Sequence, residues 1–137
     1  MSYISAFDPS ADKKTNLASK IYDISESVTK FFWDDAPRLG IQQREGQQDM
    51  AFDVLDAIKS GSHVVIEAGV GIGKSFAYLV PLLLYNAKTF SPVVIATSTI
   101  ALQEQLLSDM ELLKKWLRLD PDLILAKGKN HIFVSKM

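Results

Sequence analysis

The sequence predicts a three-layer α/β fold in which helices cover a parallel β-sheet. Short continuous apolar runs at 63–66, 93–96 and 122–126 are typical of buried parallel strands. Helical patterns alternate with these runs in the order β-α-β-α-β, which favours right-handed crossovers. A glycine-rich turn also connects the first strand to the next helix. These observations together favour a sheet whose ligands lie at the carboxyl ends of its strands.

Composition limits the possible functions. The 137 residues suffice for one modest domain, and an apolar content of 47% allows a buried core. A net charge of −1 excludes an overall basic field, and the absence of cysteine excludes disulfides and any iron–sulfur ligand within this chain. No secretory signal is present, and the apolar run at 77–85 is too short to span a bilayer. We therefore expect a cytoplasmic protein without a membrane partner.

Two regions are predicted along the chain. Residues 1–40 form an N-terminal extension, and residues 41–137 form the N-terminal part of a larger binding domain. The extension contains an amphipathic helix, which favours a docking face against the main domain over a partner-binding helix. Residues 33–40 contain proline and glycine and are interpreted as a linker. The apolar stripe of the helix consists of Leu17, Ile21, Ile24, Val28 and Phe31.

The segment Ala68–Ser75 predicts a phosphate-binding loop (P-loop) because a strand precedes it and a helix follows it. Its glycines allow backbone N–H groups to converge on an anion, and the helix N-terminus adds its dipole. Lys74 and Ser75 are the candidate catalytic residues, one as a charge for the phosphates and the other as a ligand for Mg²⁺. The alternative is a structural turn that carries these residues by chance. The nucleotide-binding candidates in the loop are Ala68, Gly69, Val70, Gly71, Ile72, Gly73, Lys74 and Ser75.

Polar segments also follow the second and third predicted strands. Thr97-Ser98-Thr99 lies at one carboxyl end, and Lys127-Gly128-Lys129-Asn130 lies at the other. Because carboxyl ends of parallel strands share one edge, both segments are expected beside the P-loop. The helix that starts after Thr99 is expected to bury Leu102 and to break near Asp109.

Four blocks within residues 41–131 resemble, in order, motifs of the DinG-like and XPD-like superfamily 2 DNA helicases. Arg-Glu-Gly-Gln-Gln-Asp-Met at 44–50 resembles the glutamine motif, and Glu-Ala-Gly-Val-Gly-Ile-Gly-Lys-Ser at 67–75 resembles the first ATPase motif. Residues 93–106 resemble motif Ia, and 127–130 resemble the segment that leads into a cysteine-ligated insertion. The resemblance implies a RecA-like P-loop NTPase fold, an incomplete first motor lobe, and ATP-dependent translocation on DNA or unwinding of DNA.

The resemblance also implies roles for single residues. Gln47 would contact adenine through its side-chain amide, with Arg44 beside it. The Thr97–Thr99 step would hold phosphates of single-stranded DNA. A polar first-turn residue and a plain helix N-cap are the respective alternatives. The implied DNA-binding residues are Thr97, Ser98, Thr99, Gln103, Lys127 and Lys129.

The sequence departs from the family pattern in four ways. Val70 and Ile72 replace the usual threonines, although the backbone cradle does not depend on them. No cysteine follows 127–130, and His131 stands near the usual aromatic position. No apolar strand ends in an Asp-Glu pair, so we expect a fragment, without the remainder of the helicase polypeptide, that binds ATP and Mg²⁺ weakly and hydrolyses ATP poorly. A P-loop module without helicase activity, and a different P-loop ATPase, are the alternatives.

Overall fold

The computed structural model describes residues 9–69, 73–126 and 131–136. Helices dominate these ranges, and three short strands follow in the second half of the chain. In chain order the elements are α1 (Pro9–Lys30), a π-helix (Phe31–Asp35), α2 (Ala36–Arg38), α3 (Gln47–Ser60), α4 (Lys74–Thr89), β1 (Val93–Thr97), α5 (Ile100–Leu117), β2 (Asp122–Ala126) and β3 (His131–Lys136). None of the helices within these ranges is long and apolar enough to cross a membrane.

Helix α1 packs against the rest of the chain through its apolar stripe. Ile24 and Val28 are completely buried, and they belong to the same hydrophobic cluster as Leu79 and Val80 of α4. Helix α4 is apolar on nearly all sides, so it needs cover from more than one neighbour, and α1 and α3 both contact it. The predicted docking face of α1 is therefore confirmed.

The segment that was interpreted as a linker is largely helical. The π-helix places Phe31 and Phe32 in the core, where their rings meet edge to face at a centroid distance of 5.1 Å. The π-helix and α2 continue α1 without a break, because Lys30, Asp35 and Ala36 all have right-handed helical angles. The linker prediction is wrong because the helical backbone continues past Pro37 to Arg38.

The sheet is antiparallel, so the predicted parallel sheet is not confirmed. β3 lies between β1 and β2 and pairs antiparallel with both strands. Only four residues, 127–130, separate β2 from β3, whereas parallel pairing of consecutive strands needs a crossover of about a dozen residues or more. Because Ala96 of β1 and Ala126 of β2 both pair with Ile132, these two strands run in the same direction. Their carboxyl ends therefore share one edge, as expected.

The predicted first strand and the three-layer arrangement are not observed. Residues 63–66 adopt no regular structure, and Val65 is 97% exposed, because no strand in the described ranges pairs with them. Along β1 the burial alternates, with Val93 buried and Val94 exposed. Helices α4 and α5 contact β1, so helices cover one face of this strand. Helix α5 also continues through Asp109 without the expected break.

Candidate nucleotide-binding site

The beginning of α4 carries the described part of the P-loop. Gly73 precedes the helix with a φ of +71°, a left-handed conformation that favours glycine. Lys74 is exposed, and Ser75 is half-buried. On the other side of the loop, a Cβ added to Gly69 would meet no atom within 4 Å, so the backbone there faces open space. Val70, Gly71 and Ile72 lie outside the described residues.

Gln47 connects the beginning of α3 to the beginning of α4. Its side chain is buried, with 3% of its surface exposed, and its Nε2 donates a hydrogen bond to the carbonyl oxygen of Gly73 at 3.1 Å. A Cβ on Gly73 would collide with the same Nε2. The close approach explains why glycine suits this position beyond its φ angle. Local sequence patterns do not reveal this contact, because the two residues are 26 positions apart.

A cavity of about 390 Å³ lies beside the glutamine motif. Trp33 lines this cavity, and 59% of its surface is exposed. Arg44 and Gly46 line the same cavity, so an aromatic face and a guanidinium lie on its wall. Such walls suit a planar heteroaromatic ring. An aromatic residue at a helix end usually packs against the protein, and the exposure of Trp33 is the observation that favours a ligand contact instead.

A second cavity of about 270 Å³ connects this region with the P-loop. It shares Gly46 and Asp49 with the first cavity and reaches Ala68 and Gly69. Three carboxylates line it, from Asp49, Asp53 and Glu67. Negative charge at this position opposes bare phosphate, so a nucleotide that crosses the cavity needs a compensating cation. The described side chains contain no group of three or more His, Asp or Glu residues that could hold a metal.

The beginning of α4 also reaches the carboxyl end of β1. Ser75, Thr97 and Ser98 line one cavity of about 230 Å³, together with Gln105 of α5. The predicted catalytic and DNA-binding residues therefore meet at one edge of the sheet. The structure brings together the two segments that motif spacing alone assigned to that edge.

Two other predicted DNA-binding residues, Thr99 and Gln103, are engaged within the protein itself, since one caps a helix and the other is buried. The hydroxyl of Thr99 accepts a hydrogen bond from the Leu102 N–H at 3.1 Å, and this bond caps α5. Gln103 is 4% exposed, and its Nε2 has no hydrogen-bond partner within the described ranges. Its side chain therefore faces the core, and Gln105 lines the cavity in its place. Lys127 and Lys129 lie outside the described residues.

Asp109 of α5 lies close to the predicted metal ligand. Burial raises the pKa of the Asp109 carboxyl, and a hydrogen bond with the Ser75 side chain lowers it in part. Burial likewise raises the pKa of Tyr78, whose hydroxyl also interacts with Ser75. A carboxylate that accepts a hydrogen bond from the Ser75 hydroxyl leaves the hydroxyl lone pairs free for a cation. Asp109 lies within a helix and does not follow a strand, so only the helix packing shows its position.

Comparison with known proteins places these features in a family. The DEAD/DEAH box helicase description matches residues 46–132, which is more than half of the chain. The chain is 38% identical to an ATP-dependent helicase DinG of Mycobacterium tuberculosis (strain ATCC 25618 / H37Rv) over 120 residues, which cover 83% of this chain and 18% of that protein. It is 41% identical to the ATP-dependent DNA helicase YoaA of Escherichia coli (strain K12) over 93 residues, which cover 67% of this chain and 14% of that protein.

A third relative carries a different description. It is a 3'-5' exonuclease DinG of Bacillus subtilis (strain 168), 36% identical over 93 residues, with 67% of this chain and 10% of that protein covered. The chain thus spans less than a fifth of the length of these curated relatives. No solved structure matches it significantly. A domain of the matched family implies a RecA-like P-loop fold and the use of ATP and Mg²⁺. The chain belongs to the DEAD/DEAH box helicase family.

Proposed function

We propose that this chain is the ATP-binding portion of an ATP-dependent DNA helicase, which couples ATP hydrolysis to movement along DNA or unwinding of DNA. The main support is the cavity that Ser75 shares with Thr97 and Ser98. In this arrangement the phosphate-binding end of α4 and the candidate DNA-binding end of β1 lie side by side. A structural change at the phosphate-binding end of α4 can therefore be transmitted directly to the candidate DNA-binding end of β1.

The residues around the start of α4 fit a nucleotide with its Mg²⁺. The exposed ammonium of Lys74 supplies charge for the phosphates, and the N-terminal N–H groups of α4 add donors and a favourable dipole. Ser75 offers its hydroxyl oxygen to Mg²⁺, while Asp109 holds the hydroxyl proton. Bound ATP supplies the phosphoryl group whose transfer to water releases free energy.

The base is proposed to lie in the cavity lined by Trp33 and Arg44. Gln47 borders Gly46 in this region, and one of its amide N–H groups is used by the Gly73 carbonyl. A primary amide has a second N–H and a carbonyl oxygen, which are the groups that recognise the N6/N7 edge of adenine. The proposed adenine contact and the observed contact with Gly73 are therefore compatible.

Single-stranded DNA is proposed to bind at the carboxyl edge of β1. Ser98 and Thr99 are exposed, and the N-terminus of α5 begins directly after them. Lys127 and Lys129 follow β2, whose carboxyl end lies at the same edge, so they remain part of the proposal. Gln103 is left out because its side chain is buried.

Binding of a fluorescent ATP analogue tests the proposed nucleotide site. We expect Lys74→Ala to weaken binding about tenfold or more, because a charge-assisted contact contributes about 1.5–3 kcal/mol. Ser75→Ala is expected to remove the part of the affinity that depends on Mg²⁺. Lys59→Ala, on the exposed face of α3, removes the same charge elsewhere and serves as the control. Unchanged binding by Lys74→Ala would refute the assignment.

Hydrolysis gives a separate measurement. ATP turnover with single-stranded DNA is expected to be slow for this chain, because no acidic pair follows a strand in its sequence. Rapid turnover that Lys74→Ala abolishes would show that this chain carries a complete catalytic set and would contradict that expectation.

Ser98→Ala is expected to weaken DNA binding without weakening nucleotide binding.

A further inference from the structure

A basic groove lies between the N-terminal helices and the end of α5. It has a volume of about 630 Å³, within the range of ligand-binding cavities. Its floor includes Leu84 of α4 and Leu117 of α5. Its charged lining consists of Lys30, Asp35, Arg38, Lys115 and Arg118. None of these residues belongs to the site described above.

The lining of the basic groove has an excess of positive charge. Four cationic side chains face one carboxylate, although the chain as a whole has a net charge of −1. Asp35 pairs with Lys30 at 3.2 Å, which leaves Arg38, Lys115 and Arg118 without an ion pair among the described residues. Glu111 and Asp120 both pair with Lys114, so this neighbouring group carries a net charge of −1, which is smaller than the charge of the three unpaired cations.

Arg118 occupies a backbone position that normally favours glycine. It ends α5 with a φ of +54° and a ψ of 45°, and its N–H bonds to the Lys114 carbonyl. Glycine is the usual residue at such helix ends. Phe90 ends α4 in the same conformation, so the backbone of Arg118 follows from the helix end, and glycine at position 118 would fit it.

Trp116 adds an aromatic surface among these cations. It lines the groove between Lys115 and Arg118, and it is half-buried. Its ring contacts Phe76 of α4 at a centroid distance of 5.9 Å, so its orientation is supported by a second helix. Cationic side chains that track phosphates, combined with an aromatic surface on which a base stacks, are the usual elements of single-strand binding.

We propose that the basic groove binds single-stranded nucleic acid through its phosphates, with a base stacked on Trp116. This site is separate from the DNA edge at β1 and does not depend on the function proposed for that edge. Inorganic polyphosphate and free nucleotides share the phosphate chemistry, but they offer no sequence of bases linked to several phosphates. The stacking surface therefore favours nucleic acid over polyphosphate, and competition with ATP distinguishes nucleic acid from a free nucleotide.

The test measures the affinity of the whole chain for a labelled oligothymidylate of about 12 nucleotides as a function of salt. The groove variant carries Lys115→Ala and Arg118→Gly. Glycine at position 118 suits the observed φ, so this variant is expected to fold normally. The control variant carries Lys20→Ala and Lys59→Ala, which removes the same charge outside the groove.

For the groove variant we expect affinity at low salt to fall about tenfold. The slope of log affinity against log salt should decrease by about 1.4, since each lost phosphate contact on a single strand contributes about 0.7. The control should change affinity less than about twofold. Equal slopes for the groove variant and the unmodified chain, or no measurable binding at low salt, would overturn the proposal.

Two further readouts identify the ligand and the surface. In a Trp33→Phe background, Trp116 is the single tryptophan, and stacking of a base should quench its emission. Absence of quenching would overturn the stacking contact. Inorganic polyphosphate or ATP that competes as well as the oligonucleotide would overturn the assignment to nucleic acid. The ATP-analogue assay with Lys74→Ala reports on the proposed nucleotide site separately, so failure of either proposal is distinguishable.

Discussion

Replacement of Gly73 by alanine tests the contact that joins α3 to α4. The new Cβ would collide with Nε2 of Gln47, and φ at this position is +71°. The left-handed conformation costs alanine about 1–2 kcal/mol. Gln47 is flexible at its end and can turn away, but it then loses its hydrogen bond to the Gly73 carbonyl, worth about 0.5–1.5 kcal/mol. We therefore expect Gly73→Ala to lower the free energy of unfolding by about 1.5–3.5 kcal/mol.

Urea unfolding followed by circular dichroism measures this loss, and Gly61→Ala is the matched control. Gly61 has a φ of +63°, but a Cβ there would meet nothing within 4 Å. The control thus reports the conformational cost alone, about 1–2 kcal/mol. A double-mutant cycle with Gln47→Ala isolates the contact, because the hydrogen bond is lost only once. The double variant should be about 1 kcal/mol more stable than additivity predicts.

Two results would refute this reasoning. Equal losses for Gly73→Ala and Gly61→Ala would show that Gln47 contributes nothing beyond the backbone cost. Additive losses in the cycle with Gln47→Ala would show that the two residues do not interact. Either result would also remove the structural link between the glutamine motif and the start of α4.

Three further predictions concern α5 and its surroundings. Burial raises the pKa of Asp109, so the fold favours its protonated form. Its contribution to stability is therefore present below about pH 4 and is lost as pH rises through the raised pKa. In urea unfolding, Asp109→Asn should be more stable than the unmodified chain at pH 7 but not at about pH 3. Thr99→Ala removes the N-cap of α5 and should cost about 1 kcal/mol by the same assay, whereas Thr29→Ala on the exposed face of α1 should cost nothing. Met110→Ala removes a completely buried side chain and should cost about 2–5 kcal/mol in thermal or urea unfolding, whereas the exposed Leu112→Ala should cost less than about 1 kcal/mol.

Local patterns were sufficient to predict most helices and two strands. The strand predicted at 93–96 extends by one residue to Thr97, and the strand predicted at 122–126 has the predicted bounds. Periodicity, glycine stops and polar caps act within a few residues, so they can be read from sequence. The strand predicted at 63–66 is not observed because a strand also needs a pairing partner, and no local sequence pattern shows whether one is present.

Pairing and helix rotation were the parts that sequence did not determine. β3 was not predicted, and its insertion between β1 and β2 changes the sheet from parallel to antiparallel. In α5 the expected stripe began at Leu102, but Leu102 is 48% exposed and Gln103 is buried. Adjacent residues of a helix point about 100° apart, and the apolar residues further along α5 are compatible with burial of either one. A rotation of the helix about its axis therefore decides whether Leu102 or Gln103 faces the core. Packing against α4 selected the stripe that contains Gln103.

The candidate site divides in the same way. Local motifs at a strand end and a helix start predict that Ser75 and the Thr97–Ser98 step lie together, and the structure places them in one cavity. The contact of Gln47 with Gly73, the position of Asp109 beside Ser75 and the exposure of Trp33 all depend on how helices pack. Sequence spacing thus identifies the candidate residues, while tertiary packing decides which groups lie beside them.

The N-terminal extension has a direct part in that packing. The division of the chain at residue 40 is a proposal based on composition, yet Ile24 and Val28 share one core with Leu79 and Val80. These two residues of α4 lie just over one turn beyond Ser75, so α1 supports the helix that presents the phosphate-binding residues. Since Val28 is completely buried, loss of this support would expose apolar surface on α4 and weaken the helix whose N-terminus carries the site. The extension therefore stabilises the proposed nucleotide site, and its Trp33 also lines the cavity proposed for the base.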